Sequence, residues 1–254
     1  MQILELWQFP IKGFGGSQVG AAVLKSNGYF PLDRYFAVST GGQKIATARS
    51  GTWFPKAHFL QLMSHEALAE YSCQYQTDGA TPILELFHHG NSCISINPDS
   101  ADGQRQLEDF IVSNFSNHLR GQPRLMRMTD QAFSDQSTAL VSIASNASLD
   151  TFAEATGTAP GNRRFRINII INANEAFAET DMIGHTFQCG KALMVVQKTV
   201  GRCAAINVDP KTAVRSDKDY VRLMKEKFGH SNLGVFAKVI KEGEIKIGDI
   251  LRPI

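Results

Sequence analysis

The sequence predicts an α+β fold that is mainly β and divided into two lobes. Three observations carry this. The first third contains short apolar runs broken by glycines, the pattern of a small barrel or sandwich. The second half carries nearly continuous apolar runs at 139–143, 167–171, 192–199 and 233–240, which read as buried strands. At 254 residues, the chain can build one large core or two modest ones.

Composition narrows the function classes. Hydrophobic residues make up 43% and charged residues 20%, the balance of an ordinary globular protein. With 26 basic and 24 acidic residues the net charge is +2, too small for a general nucleic-acid binder. Cys73, Cys93, Cys189 and Cys203 show no CxxC spacing, against a zinc ribbon or a thioredoxin-type pair. The N-terminus lacks a basic segment followed by an apolar core, and no run is long enough for a membrane span. These features imply a cytoplasmic protein with reduced thiols.

In chain order, residues 3–9 alternate apolar and polar as a half-buried strand does, and Pro10 ends them. Gly13 to Gly16 (GFGG) lacks the GxxxxGK[ST] spacing of a phosphate loop and reads as a turn, with Lys12 just past the strand end. Val19–Lys25 and Arg34–Ser39 predict further strands. Pro55 opens an apparent helix in which Phe59, Leu60, Leu62, Met63, Ala67 and Leu68 share a face. Two strands, Ile83–Phe87 and Cys93–Ile96, flank the HHGN turn. His88 and His89 read as solvated turn residues, because neighbours on a strand point to opposite faces and cannot easily share one ion.

From Ala101 to Arg120 the residues Leu107, Phe110, Ile111, Phe115 and Leu119 recur at helical spacing, with Gly121 and Pro123 as stops. Strands are predicted at 124–128 and 139–143, separated by a polar loop. Ser148 is placed to cap a short helix ending at Gly157. Asn162-Arg163-Arg164-Phe165-Arg166 then runs into an apolar strand; with period 2, Arg164, Arg166 and Asn168 would share one side, ready for a phosphate or polar ring. A buried strand at 192–199 leads to Gly201-Arg202-Cys203. Ser216 with Asp219 suggests a capping box for a helix closed by Gly229, and residues 244–251 suggest a closing hairpin.

Cys203 is the residue to explain. Lys198, Arg202 and Arg215 surround it in sequence, a positive setting that favours the thiolate, the form that attacks or binds metal. Three roles stay open on the residues alone: buried structural cysteine, nucleophile, or metal ligand. No cysteine-protease signature flanks it. Cys73, Cys93 and Cys189 read as core or surface filler.

Several short motifs now resemble one family. They are Phe9-Pro10-Ile11-Lys12, Leu32-Asp33-Arg34-Tyr35, Thr47-Ala48-Arg49, Ser145-Asn146-Ala147-Ser148-Leu149, Phe165-Arg166-Ile167-Asn168, Gly201-Arg202-Cys203 with Val208-Asp209-Pro210, and Ile247-Gly248-Asp249. In this order and spacing the chain resembles a MOSC-domain protein, of the molybdenum-cofactor sulfurase C-terminal family. It is similar in particular to the amidoxime-reducing branch.

The resemblance implies an N-terminal β-barrel module over residues 1–95 and a MOSC β-barrel with peripheral helices over residues 96–254. It implies a molybdenum cofactor (molybdopterin) between the lobes, with Cys203 as the catalytic metal ligand. Cofactor contacts would come from Lys12, Arg34, Asp135, Ser137, Arg166, Asn168, Arg202 and Phe236. The implied activity is reduction of N-hydroxylated small molecules. Because the chain stops at Ile254, the electrons are expected from a separate protein of ferredoxin, flavin or cytochrome type. The alternative is a persulfide carrier or a cofactor storage and delivery protein. Departures from the motif include Gly13 for serine, Ile167 for proline and Phe236 for tyrosine; the second leaves Arg166 less restrained.

Overall fold

The computed structural model describes residues 1–42, 54–128, 131–136 and 138–254. Thr47-Ala48-Arg49 and the expected cofactor residue Ser137 therefore lie outside the described residues.

In chain order the first strands are β1 (Ile3–Gln8), β2 (Ser17–Val19), β3 (Ala21–Leu24), β4 (Phe36–Val38), β5 (Tyr71–Gln76), β6 (Ile83–His88) and β7 (Asn91–Ile96). Then follow helix α1 (Ala101–Phe115), β8 (Leu125–Arg127), β9 (Val141–Ser145), α2 (Asn146–Thr156), β10 (Ile169–Ile171), β11 (Thr186–Cys189) and β12 (Ala192–Gly201). Helix α3 (Tyr220–Phe228), β13 (Asn232–Lys241), β14 (Gly243–Lys246) and β15 (Leu251–Pro253) complete the chain.

The apolar runs of the second half do become central strands. One eight-stranded sheet has the order β15-β11-β12-β13-β9-β10-β1-β2, with β9 and β10 parallel and their outer neighbours antiparallel. The sheet closes on itself. The Leu251 N–H donates to Met1 O at 2.7 Å and the Ile3 N–H to Asp249 O at 2.8 Å, so the last strand is tied back to the first. Ile3, Leu6, Ile143, Ile169, Ile171, Met194, Val196, Val235 and Val239 fill the interior. Each such buried side chain stabilises the barrel by roughly 1.5–3 kcal/mol.

The other lobe pairs β5-β6-β7 in one sheet and β4 with β8 in another. Its core joins Phe14, Phe36, Tyr71, Leu84 and Leu86 to Leu107, Ile111 and Phe115 of α1. Packing thus crosses residue 95 in both directions, since β1 and β2 also sit in the barrel built from 141–253.

Four sequence expectations change. The apolar stretch after Pro55 is no α-helix but two short 3₁₀ turns, Lys56–His58 and Glu66–Glu70. Between them Phe59 bridges Ser39 and the Leu60 N–H donates to Val38 O at 2.8 Å; pairing with β4 outcompetes the helical spacing. The cap of α2 is Ser145, whose hydroxyl accepts from the Ser148 N–H at 3.1 Å, while Gly157 ends the helix in the left-handed region as expected. Asp219, not Ser216, caps α3 by accepting from the Val221 and Arg222 N–H groups. Residues 244–251 form no hairpin, because β14 pairs with β3 and β15 with β11.

All four cysteines are free. Burial pushes the Cys73 thiol well up and the Cys189 thiol up to about 12, so both stay protonated fillers. No helix among the described residues is long and apolar enough to cross a membrane.

Candidate functional site

β12 runs out of the barrel at Gly201 and delivers Arg202 and Cys203 to a cleft of about 270 Å³ between the lobes. Lys12, Arg34, Asp135, Arg166, Asn168, Arg202, Cys203 and Phe236 all line it. Every described residue expected to contact the cofactor therefore lines this one cleft, from positions as far apart as 12 and 236.

Two arginines reach the cleft from left-handed backbone, Arg34 at φ +49° and Arg166 at φ +54°, a conformation that non-glycine residues hold only when their surroundings enforce it. Arg34 is enforced by its N–H donating to Phe9 O at 2.8 Å, by pairing with Asp33 and by lying over the Phe9 ring at 5.0 Å. It also donates through Nη2 to Arg166 O at 3.0 Å. Asp33 is itself locked, accepting from the Phe9 N–H at 3.1 Å.

The segment before β10 is not the extended strand mouth that period 2 suggested. Residues 162–164 form a 3₁₀ turn and the Arg166 N–H donates to Asn162 O at 2.8 Å. The two arginines expected on one side differ in what their guanidiniums bond. Both still line the cleft, but the Arg164 guanidinium is buried against the cysteine loop, donating to Ile206 O at 2.8 Å, to Val208 O at 2.7 Å and to Asp209 at 3.1 Å. Ile206 lies in the 3₁₀ turn Ala204–Asn207 and Val208 is its C-cap, while Cys203 is the N-cap. Arg164 thereby positions the cysteine loop.

Several expected contact residues are committed elsewhere. Asn168 accepts through Oδ1 from Ser142 Oγ at 2.8 Å and from the Ser142 N–H at 3.2 Å, and donates to Trp7 O at 3.3 Å; it ties β1, β9 and the entry to β10 under the cleft. Arg202 donates to Phe165 O at 3.0 Å and through Nε to Leu233 O at 3.0 Å, with its guanidinium 5.3 Å from the Phe165 ring centre. Lys12 donates to Phe133 O at 2.8 Å and pairs with Asp135 at 2.9 Å. Phe236 faces Lys198 across β12 and β13, with the ammonium 5.8 Å from its ring centre.

The electrostatics are those of an under-neutralised cationic cleft. Burial, and then the charge of Arg34, pull the Arg166 guanidinium down to about 10. Burial, only partly opposed by Cys203, brings Arg202 down to about 9. Burial likewise lowers Lys12 against the pull of Asp135. Asp135 moves down although burial pushes it up, because Lys12, Lys56 and Arg166 outweigh that penalty. Arg166 Nη1 is buried with no hydrogen-bond partner among the described residues. The Cys203 side chain is exposed.

Sequence reasoning missed Asn162, Ser142 and Asp33 as residues that hold this cleft, and expected Arg164 as a ligand contact where it instead anchors the cysteine loop. Asp33 carried a signal, standing inside a quoted motif; Asn162 carried none, being a polar residue in a loop.

The fold is thus a closed barrel that presents a cysteine and clustered cations to one cleft. The chain belongs to the MOSC family: residues 129–252 match the MOSC domain and residues 1–119 the MOSC N-terminal beta barrel domain. The family is associated with the molybdenum cofactor. Among solved structures, the chain is similar to the YUAD protein from Bacillus subtilis at 14% identity, with 98% of this chain and 93% of that one covered and a TM-score of 0.45. It is similar to YiiM from Geobacillus stearothermophilus at 18% identity, with 45% of this chain covered and a TM-score of 0.34; the match spans 53% of YiiM's own length. A hypothetical protein shows 17% identity over 50% of this chain and 55% of its own, with a TM-score of 0.36. No curated protein sequence matches.

Proposed function

We propose that the protein is a molybdenum-cofactor-binding oxidoreductase that reduces N-hydroxylated small molecules with electrons from a separate ferredoxin-, flavin- or cytochrome-type protein. The observation that carries this reading is Arg166, whose buried Nη1 has no acceptor among the described residues in a cleft where Lys12, Arg34, Lys198 and Arg202 add further positive charge. A buried cation without an acceptor is costly, and an anionic ligand removes the cost. The residues present therefore fit a pterin bearing a phosphate, and a soft thiolate suits molybdenum.

Lys12, Arg34 and Arg166 would hold the anionic part of the cofactor, and Cys203 would be the metal ligand. When bound, the cofactor supplies the redox couple that cleaves the N–O bond. The chain's own residues do the rest. Asn162 and Asn168 fix the backbone from which Arg166 reaches the cleft, Arg164 fixes the turn beneath Cys203, and Phe236 with the stem of Lys198 gives a substrate ring an apolar wall. Asp135, held ionised by Lys12, keeps that ammonium aimed into the cleft.

A second reading is a persulfide carrier or a cofactor storage protein. It is favoured by the exposure of Cys203, whose sulfur forms no hydrogen bond among the described residues.

Purification from a host that makes the cofactor separates the two. The first reading expects stoichiometric molybdenum and pterin, lost in Cys203→Ser, and reduction of an amidoxime or hydroxylamine with an artificial donor. Metal-free protein carrying cyanide-releasable sulfur on Cys203 overturns it in favour of the second. Bound metal without N–O reduction removes the reductase assignment and leaves the cofactor site standing.

A further inference from the structure

We infer that Glu70, His88 and His89 form a second metal site, for a single divalent ion of the zinc class, on the sheet β5-β6-β7 and apart from the cleft. The potential ligand atoms of these three side chains all lie within 4.8 Å of one another. His88 Nε2 is 3.4 Å from one Glu70 carboxylate oxygen, and His89 Nε2 is 3.8 Å from the other. Tetrahedral ligation at about 2.0–2.2 Å spaces ligand atoms roughly 3.3–3.5 Å apart. Small side-chain adjustments therefore place all three around one ion.

Adjacent strand residues diverge, but His88 and His89 converge at this hairpin for a local reason. His88 is the last residue of β6, but His89 leaves the strand with φ +49° and is followed by Gly90 at φ +85°, the paired left-handed conformations of a tight hairpin turn. The turn swings the His89 ring back over His88, with ring centres 4.2 Å apart. Register supplies the third ligand. Tyr71 pairs with His88, so Glu70, one residue earlier, stands opposite His89, and the His89 N–H donates to Glu70 O at 3.3 Å. Tyr71 also stacks on His88, with ring centres 4.6 Å apart and planes inclined by 28°, which holds that ring in place.

At 3.4 and 3.8 Å the two Nε2–carboxylate separations are long for hydrogen bonds, and either ring nitrogen of a neutral imidazole can present a lone pair. A divalent ion accepts from all three groups at once. Two imidazoles and a carboxylate match zinc-type preferences rather than those of calcium or magnesium. His89 is exposed and His88 half-buried, so a fourth position stays open to water.

The full chain, stripped with chelator and desalted, is titrated with zinc chloride by calorimetry and by competition with a chromophoric chelator. His89→Asn keeps a residue that tolerates the left-handed turn, and Glu70→Gln keeps the side-chain shape; circular dichroism checks that both fold. The expected result is one equivalent bound, weakened in each variant by at least the ~100-fold that loss of a mere second-shell partner can reach. Zinc should also raise the melting temperature of the parent protein and not that of His89→Asn. Failure of the parent protein to bind zinc overturns the proposal. So does binding that survives both substitutions but disappears in Cys203→Ser, which places the ion in the cleft instead.

Discussion

Asn162 grips Ile167 at both ends of its peptide: its Nδ2 donates to Ile167 O at 2.6 Å and its Oδ1 accepts from the Ile167 N–H at 2.8 Å. The side chain is buried, and the loop it closes presents Arg166 to the cleft. A proline at position 167 would restrain Arg166 through its ring. Isoleucine leaves an N–H there, and Asn162 uses it, so the restraint expected to be lost is replaced by a hydrogen-bonded clamp.

Asn162→Ala should therefore destabilise the protein by about 2–4 kcal/mol, since it strips two hydrogen bonds and leaves buried backbone groups unpaired. Ile167→Pro should also destabilise, because it orphans Asn162 Oδ1 and disfavours the positive φ of Arg166. The two changes share one interaction, so the double variant should cost less than the sum. Urea melts of the four proteins measure the coupling; strict additivity would remove the clamp.

Gly13 has no room for the serine its motif suggests. Its φ is +90°, and an added Cβ would lie 2.9 Å from Leu60 O and 3.2 Å from Gln61 Cα. Gly13→Ser should lower stability by about 1–3 kcal/mol without raising cofactor content per folded molecule. Thermal melts beside molybdenum analysis test this; a gain in loading would show that the hydroxyl reaches the cofactor after all.

What the sequence revealed and concealed follows from the range of the interactions concerned. Barrel strands such as Val141–Ser145 and Ala192–Gly201 were legible because their apolar runs are long and local. The stretch around Phe59 was misjudged because its apolar density is helical, while its backbone partner Val38 lies twenty residues or so away in sequence. Ser148 looked like a cap, yet the hydroxyl one turn earlier does the capping, and Ser148 instead donates to the buried Glu179 at 2.9 Å. The cleft cations were visible as residue types, but which arginine keeps an unpartnered nitrogen there was not. That depends on the turn at 162–164, set by Asn162.

Arg166 is retained at the expense of the empty protein's stability. Its charge is penalised in full below its folded value of about 10, and because that value lies below the unfolded one, the penalty eases as pH rises through the interval between them. Arg166→Met should raise the stability of cofactor-free protein by about 1–3 kcal/mol near neutrality and abolish cofactor retention. Denaturation of both proteins from about pH 8 to about pH 10.5 should show the variant's advantage shrinking as pH rises. An advantage that stays constant would mean that the charge is not what is penalised.

Arg164 tests whether a residue whose guanidinium is committed to the cysteine loop governs Cys203. Its guanidinium serves three acceptors, the carbonyls of Ile206 and Val208 and the Asp209 carboxylate, and lies 5.6 Å from the Tyr220 ring centre. A lysine ammonium cannot reproduce that planar fork, so Arg164→Lys should cost about 2–4 kcal/mol. A purely structural loss would stop there. If Arg164 sets the turn that carries Cys203, folded Arg164→Lys protein should also alkylate at Cys203 with a changed rate and pH profile, and should hold less molybdenum per folded molecule. Iodoacetamide kinetics, followed by mass spectrometry under conditions where both proteins are fully folded, separate the two cases. An unchanged Cys203 profile with full loading would reduce Arg164 to a stability element.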